Sequence, residues 1–220
     1  MKDEWREILS RVGERKVKVI AVSKTQPGAK LREAYEAGVR VFGENRIQEA
    51  IPKIQELSSL PVEWHFIGHL QTNKSRDAVR FFSWIHSIDS IKLLHHIEKE
   101  AAKQSKRMSL LLEINLGGEE SKSGTTEKDL PELLQEGKDL TWGRIRGLMT
   151  IPPFLEDVEK VRPYFQRLRG LRDQYRPEYP ELTELSMGMS HDYVVAIEEG
   201  ATLIRIGTAL FGERAQAMNG

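Results

Sequence analysis

Val17-Lys18-Val19-Ile20-Ala21-Val22-Ser23-Lys24 is a run of mostly apolar, β-branched residues that stops at the turn signal Thr25-Gln26-Pro27-Gly28. Such a run predicts a buried strand that delivers an amine to its C-terminal tip just before a turn. Comparable runs recur at 39–42, 62–67, 82–88, 109–114, 145–149, 182–185 and 202–206. Segments with helical periodicity lie between them, at 29–37, 46–57, 73–81, 91–105, 127–136, 155–173 and 193–199, with one more before the first strand at 2–12. Strands that alternate with helices in this way predict a parallel α/β architecture, closed as a single (β/α)8 TIM-type barrel spanning residues 1–220 with an extra N-terminal helix. An open doubly wound sheet is the second fold compatible with the pattern. The longest polar loop, 117–124, is too short to divide domains.

Composition narrows the function classes. The 220 residues are 39% hydrophobic and 30% charged, which suits a globular chain with a sizeable core. Lys plus Arg and Asp plus Glu both total 33, so no net charge draws the chain to nucleic acid or to an anionic membrane. With no cysteine, neither a disulfide framework nor a thiolate metal site nor a thiol nucleophile can form. The N-terminus, Met1-Lys2-Asp3-Glu4-Trp5, is charged rather than signal-like, and no apolar run approaches a membrane span, so a cytoplasmic protein is expected. No His/Asp/Glu grouping has metal-ligand spacing, and no metal is expected. His65 and His86 read as satisfied core histidines.

In a barrel, chemistry gathers at the C-terminal ends of the strands. Polar residues fall there after nearly every strand: Lys24, Asn45, Asp89, Thr150, Ser186, Ser190, Gly207 and Thr208 among them. A purely structural barrel has no need of so many on one rim. Ser186-Met187-Gly188-Met189-Ser190 is expected to form a loop before a helix, with Ser190 as N-cap candidate; Gly207-Thr208 follows the last strand. Glycine and hydroxyl residues in the loops after strands 7 and 8 suit a phosphate, although ordinary capping would look the same for Ser190 alone. Arg205 shares the parity of Leu203 and opposes Ile204 and Ile206. If it points into the barrel it needs a partner, which is either a barrel acid or the ring nitrogen of an aromatic cofactor. Lys24 taken alone reads first as a snorkelling strand-end lysine, and in a barrel that binds another phosphorylated metabolite it would be a simple phosphate contact. Taken together, the lysine, the phosphate loops and the inward arginine suggest pyridoxal phosphate.

Several segments make a resemblance explicit: Ala21-Val22-Ser23-Lys24, Phe42-Gly43-Glu44-Asn45, Trp64-His65-Phe66-Ile67-Gly68-His69, Ser121-Lys122-Ser123-Gly124, Gly147-Leu148-Met149-Thr150 and Ile204-Arg205-Ile206-Gly207-Thr208. The chain resembles the pyridoxal-phosphate homeostasis protein family, whose fold is like the N-terminal barrel of alanine racemase. The resemblance implies pyridoxal 5′-phosphate held as a covalent imine on Lys24, with Asn45 near its ring. It further implies a phosphate held by Ser186, Ser190, Gly207 and Thr208, with Arg205 facing the pyridine nitrogen. Lys122 matches a loop lysine implied in cofactor transfer. It implies a carrier, buffer or regulator of the cofactor without established turnover, with cofactor-requiring apoenzymes as recipients. The alternative on the same barrel is an amino-acid racemase. That activity needs a second acid, which in alanine racemase is a tyrosine supplied by a partner subunit's extra β domain. The sequence ends soon after strand 8, so that domain is expected to be absent and the protein to be a monomer.

Overall fold

The computed structural model describes residues 1–118 and 123–212. Lys122, the proposed transfer lysine, lies outside the described residues. Helix α1 (Lys2–Val12) precedes a closed barrel of eight strands in sequence order: β1 (Lys18–Val22), β2 (Val41–Glu44), β3 (Glu63–Phe66), β4 (Trp84–Ile88), β5 (Met108–Glu113), β6 (Gly143–Met149), β7 (Glu184–Met189) and β8 (Leu203–Ile206). Every neighbouring pair is parallel, and β8 closes on β1 through Lys18↔Leu203 to Ala21↔Ile206. Helices α2 (Gly28–Glu36), α3 (Ile47–Glu56), α4 (Ser75–Phe81), α5 (Ile91–Lys103), α6 (Leu130–Gly137), α7 (Arg162–Tyr175) and α8 (Tyr193–Glu198) connect successive strands, and a single turn, α9 (Thr208–Phe211), follows β8.

Alternation along the strands sorts the core into two parts. Phe42, Ile204 and Ile206 join the large apolar layer between strands and helices. Ile20, Val41, Leu111, Met149 and Leu203, with Trp84 against them, form a separate small cluster inside the barrel. Arg205, in phase with Leu203, is therefore an interior residue, as its parity predicts. Helix α1 buries Trp5, Ile8 and Val12, a single stripe, against the far end of the chain at α8 and α9.

The element boundaries differ from expectation where proline and glycine carry a local meaning. Helix α7 begins at Arg162 rather than near 155, because Pro163 occupies its first turn and a 3₁₀ turn (Val158–Val161) precedes it. Helix α6 likewise begins at Leu130 with Pro131 in its first turn. Strand β7 is the main correction. The sequence pattern predicts an end at 185 with 186–190 as loop, yet the strand runs from Glu184 to Met189. The pairing with β8 steps from Ser186↔Leu203 to Met189↔Arg205, so β7 carries one extra residue there, with Gly188 at φ 90°. The glycine reads as loop punctuation but serves as a β-bulge within the strand.

Gly147 of β6 pairs with Glu184 of β7, and a Cβ placed on it would lie 1.9 Å from the Glu184 carbonyl oxygen. Because a backbone atom, not a flexible side chain, blocks that space, Gly147→Ala should destabilise the barrel by about 1–3 kcal/mol or more. A urea midpoint unchanged from the parent would show that the two strands separate freely.

Candidate functional site

A cavity of about 410 Å³ opens at the C-terminal rim, within the roughly 300–1,000 Å³ usual for small-molecule sites. Lys24, Asn45, Arg205, Ser190, Gly207 and Thr208 all line it, as do His69, Glu113 and Ser123. Six of the seven residues singled out by sequence thus meet in one place. Ser186 does not. It sits inside β7, fully buried, with its hydroxyl taken up by Arg205 and His86.

Lys24 lies two residues past β1, half-buried, in a turn whose next residue, Thr25, has the left-handed φ of 64°. A threonine in that conformation is strained and has to be held. A buried ionic cluster supplies the hold. Lys53 donates to the Ser23 carbonyl at 2.8 Å, to Glu44 Oε1 at 2.8 Å and to Glu49 Oε1 at 2.9 Å. The Ser23 hydroxyl donates to Glu44 Oε1 at 2.7 Å, and the Thr25 N–H donates to Glu49 Oε1. Lys53 lies on the buried stripe of α3 with Ile47 and Ala50. Burial pushes the Glu44 carboxyl up, against the pull of Lys53 and Ser23. Sequence reading missed this cluster. Its visible trace is Glu49 and Lys53 at i, i+4, with the lysine on an apolar helix face.

Arg205 is 3% exposed. It donates to Ser186 Oγ at 2.6 Å and to the Thr150 carbonyl at 2.9 Å. Desolvation lowers its pKa to about 10, opposed by the charges of Asp192 and Glu113, so it remains a cation at neutral pH. Neither acid ion-pairs with it directly among the described contacts; its partners are a hydroxyl and a carbonyl, and its remaining donor capacity borders the cavity.

Ser190 is not an N-cap. Asp192 takes that position and accepts from the Met189 N–H at 2.7 Å. Ser190 Oγ instead accepts from the N–H groups of Gly207 at 3.0 Å and Ala209 at 3.3 Å, joining the loops after β7 and β8. Two main-chain donors converging on one oxygen at a cavity wall make a geometry that an anion oxygen can also use. Also on the cavity wall, Asn45 Oδ1 is buried and accepts no hydrogen bond among the described residues. A buried acceptor without a partner beside a cavity is unusual and fits a ligand with polar groups. Buried Arg205, the converging N–H pair and the orphan Asn45 oxygen therefore suit an anionic, heteroaromatic group.

Glu113 faces the same cavity and accepts from Ser123 Oγ at 2.9 Å. Burial raises its pKa above the ordinary 4.5, the Ser123 bond opposing the shift. A carboxyl whose folded pKa exceeds its unfolded value costs nothing below the unfolded value and destabilises the fold once pH has risen through both. Glu113→Gln should therefore stabilise the unliganded protein by about 1 kcal/mol near neutrality and change nothing below the unfolded pKa. Denaturation at two pH values checks this; an equal gain at both would mean that charge is not the cause.

The model of the family described as alanine racemase, N-terminal domain, matches residues 1–215. The pyridoxal phosphate homeostasis protein of Aquifex aeolicus is 50% identical over 203 residues, 92% of this chain and 89% of its own length. That of Escherichia coli K12 is 40% identical over 205 residues, 90% of this chain and 86% of its own. Among solved structures, PipY of Synechococcus elongatus with PLP bound superposes with a TM-score of 0.90 at 42% identity, covering 96% of this chain and 99% of PipY. A diaminopimelate decarboxylase from Helicobacter pylori shares the fold alone, with a TM-score of 0.79 at 15% identity, 95% of this chain and 61% of the decarboxylase.

Proposed function

The chain belongs to the alanine racemase N-terminal domain family and, within it, to the pyridoxal phosphate homeostasis proteins, and from that footing we propose that it is a single-domain carrier of pyridoxal 5′-phosphate that acts in the cell's handling of the cofactor rather than in turnover of amino acids. One observation supports this most: a strand-tip lysine, a buried arginine and a pair of main-chain N–H groups share one rim cavity. When bound, the cofactor supplies an aldehyde, a phosphate and a pyridine nitrogen. Lys24 would offer the amine to that aldehyde. Arg205, a permanent donor, would keep the ring nitrogen unprotonated. Ser190, Thr208 and the Gly207 and Ala209 N–H groups would hold the phosphate, and Asn45 would serve the ring side. Ser186 acts one step behind, through Arg205.

Amino-acid turnover needs acids and bases on both faces of the substrate Cα. No tyrosine is among the described residues that line the cavity, and Tyr193, the one nearest in sequence to Ser190, begins α8. A monomer that passes cofactor to apoenzymes inside the cell agrees with this reading. None of the described helices is long and apolar enough to cross a membrane.

The purified protein loaded with the cofactor should be yellow, and borohydride should fix the cofactor to the peptide containing Lys24. Lys24→Ala should lose the visible band while keeping its far-UV circular dichroism, since a rim lysine contributes little packing. An adduct found only on another lysine would overturn the assignment. Pyridoxal without phosphate should bind at least about 100-fold more weakly, because several charge-assisted hydrogen bonds of about 1.5–3 kcal/mol each are lost. Equal affinities would remove the anion site from this rim. With L-alanine in deuterated water, the loaded protein should show no racemisation above free cofactor. Rapid racemisation abolished by Lys24→Ala would make the barrel an enzyme.

A further inference from the structure

We propose that the barrel interior carries a one-way hydrogen-bonded chain, Arg205 to Ser186 to His86 to His65, whose last ring faces the Glu63 carboxylate, and that His65, His86 and Ser186 are positioning residues for the arginine. The proposal rests on the reading above for what Arg205 faces, and on nothing else in it.

The geometry is continuous. Arg205 Nη1 lies 2.6 Å from Ser186 Oγ, Ser186 Oγ lies 2.9 Å from His86 Nδ1, and His86 Nε2 lies 2.9 Å from His65 Nδ1. His65 Nε2 reaches toward Glu63 Oε1 at 3.4 Å and makes no full hydrogen bond with any described residue. Glu63 Oε2 accepts from Lys18 at 3.0 Å. His65, His86 and Ser186 are fully buried, whereas Lys18 and Glu63 are part-exposed at the starting ends of β1 and β3. The chain thus crosses the barrel from the cavity to the opposite face.

Its two ends dictate its direction. A guanidinium can only donate and an ionised carboxylate can only accept, while the three groups between can do either. Ser186 Oγ accepts from Arg205, so its own proton must go elsewhere, and His86 Nδ1 is the other partner among the described residues. His86 is then protonated on Nε2 and donates to His65 Nδ1. His65 is in turn protonated on Nε2, which is the nitrogen that faces Glu63. The reverse order fails at both ends. It places two donors on the Ser186 oxygen with its proton unplaced, and it turns a bare nitrogen lone pair toward a carboxylate. Charging either histidine would add a third cation between Arg205 and Lys18. Burial lowers both imidazole pKa values, which favours neutral rings, and contact with His65 and Lys18 keeps the Glu63 carboxyl ionised.

Such an arrangement does more than fill space. Apolar residues of similar size would fill the barrel at less cost, since each buried polar atom must be satisfied. Bonds in a one-way chain polarise one another, so the Glu63 end reinforces Ser186 as an acceptor for Arg205. That fixes Nη1, the Thr150 carbonyl fixes Nη2, and the orientation of the donors left toward the cavity follows.

Nitrogen-15 NMR of the unliganded labelled protein near neutral pH tests the chain directly. Both His65 and His86 should be neutral and protonated on Nε2; the Nδ1–H form at either, or an imidazolium, overturns the proposal. Two variants test its effect on Arg205. His86→Leu cuts the chain and should weaken pyridoxal phosphate binding about tenfold, the fold-change of one charge-assisted hydrogen bond. It should also shift the visible band of the loaded protein. Glu63→Gln leaves an acceptor without charge and should shift the same band to a smaller degree. Altered thermal stability with an unmoved band in both would assign the histidines to packing and overturn the positioning role. If the parent binds no pyridoxal phosphate, the function proposed above falls, while the tautomers still decide the chain.

Discussion

A cation buried inside a closed barrel sets the terms for the rest of this structure. Closure gives each strand two neighbours and leaves no edge, so main-chain groups are satisfied by the sheet itself and the interior is free to be packed with side chains. Arg205 breaks the expected apolar filling. Moving a guanidinium out of water costs several kcal/mol unless it is met by oriented acceptors. The Thr150 carbonyl and the Ser186 hydroxyl meet it, and Ser186 in turn requires His86, which requires His65. One charge thereby organises residues on β3, β4, β7 and β8 together with the carbonyl that follows β6.

A second charge is managed on the outer side of the sheet. Lys53 comes off a helix, not a strand, and its ammonium ties α3 to the end of β1 and the end of β2 at once. Net stabilisation from a buried ion pair is small, because desolvation offsets attraction. What the cluster provides is geometry. It holds a turn in which Thr25 takes a backbone conformation that most residues avoid. The cavity lysine therefore rests on a support whose atoms lie behind it.

Much of this was legible in the sequence, for identifiable reasons. Strand and helix alternation registered because a parallel barrel buries its strands on both faces, which leaves continuous apolar runs. The inward aim of Arg205 followed from parity with Leu203. The rim residues Lys24, Asn45, Ser190, Gly207 and Thr208 could be collected because strand ends are marked by turn chemistry. What sequence concealed was pairing across long separations. Ser186 and His86 are 100 positions apart, and Lys53 and Ser23 are 30 apart. No periodicity encodes such meetings. Ser186 was misplaced in the loop for a related reason: a glycine in a strand and a glycine in a turn look alike until the partner strand is known.

The extra residue in β7 has a consequence for how this barrel can diverge. Along an unbroken strand, alternation locks every side chain to every other, so a residue chosen for the middle constrains the one that follows at the tip. The bulge at Gly188 resets that phase between Ser186, which serves the interior, and Ser190, which serves the mouth. The two ends of the strand become separately tunable. A lineage can exchange what the mouth recognises while leaving the buried layer intact, and the glycine that permits the reset, at φ 90°, is a position where other residues would be strained.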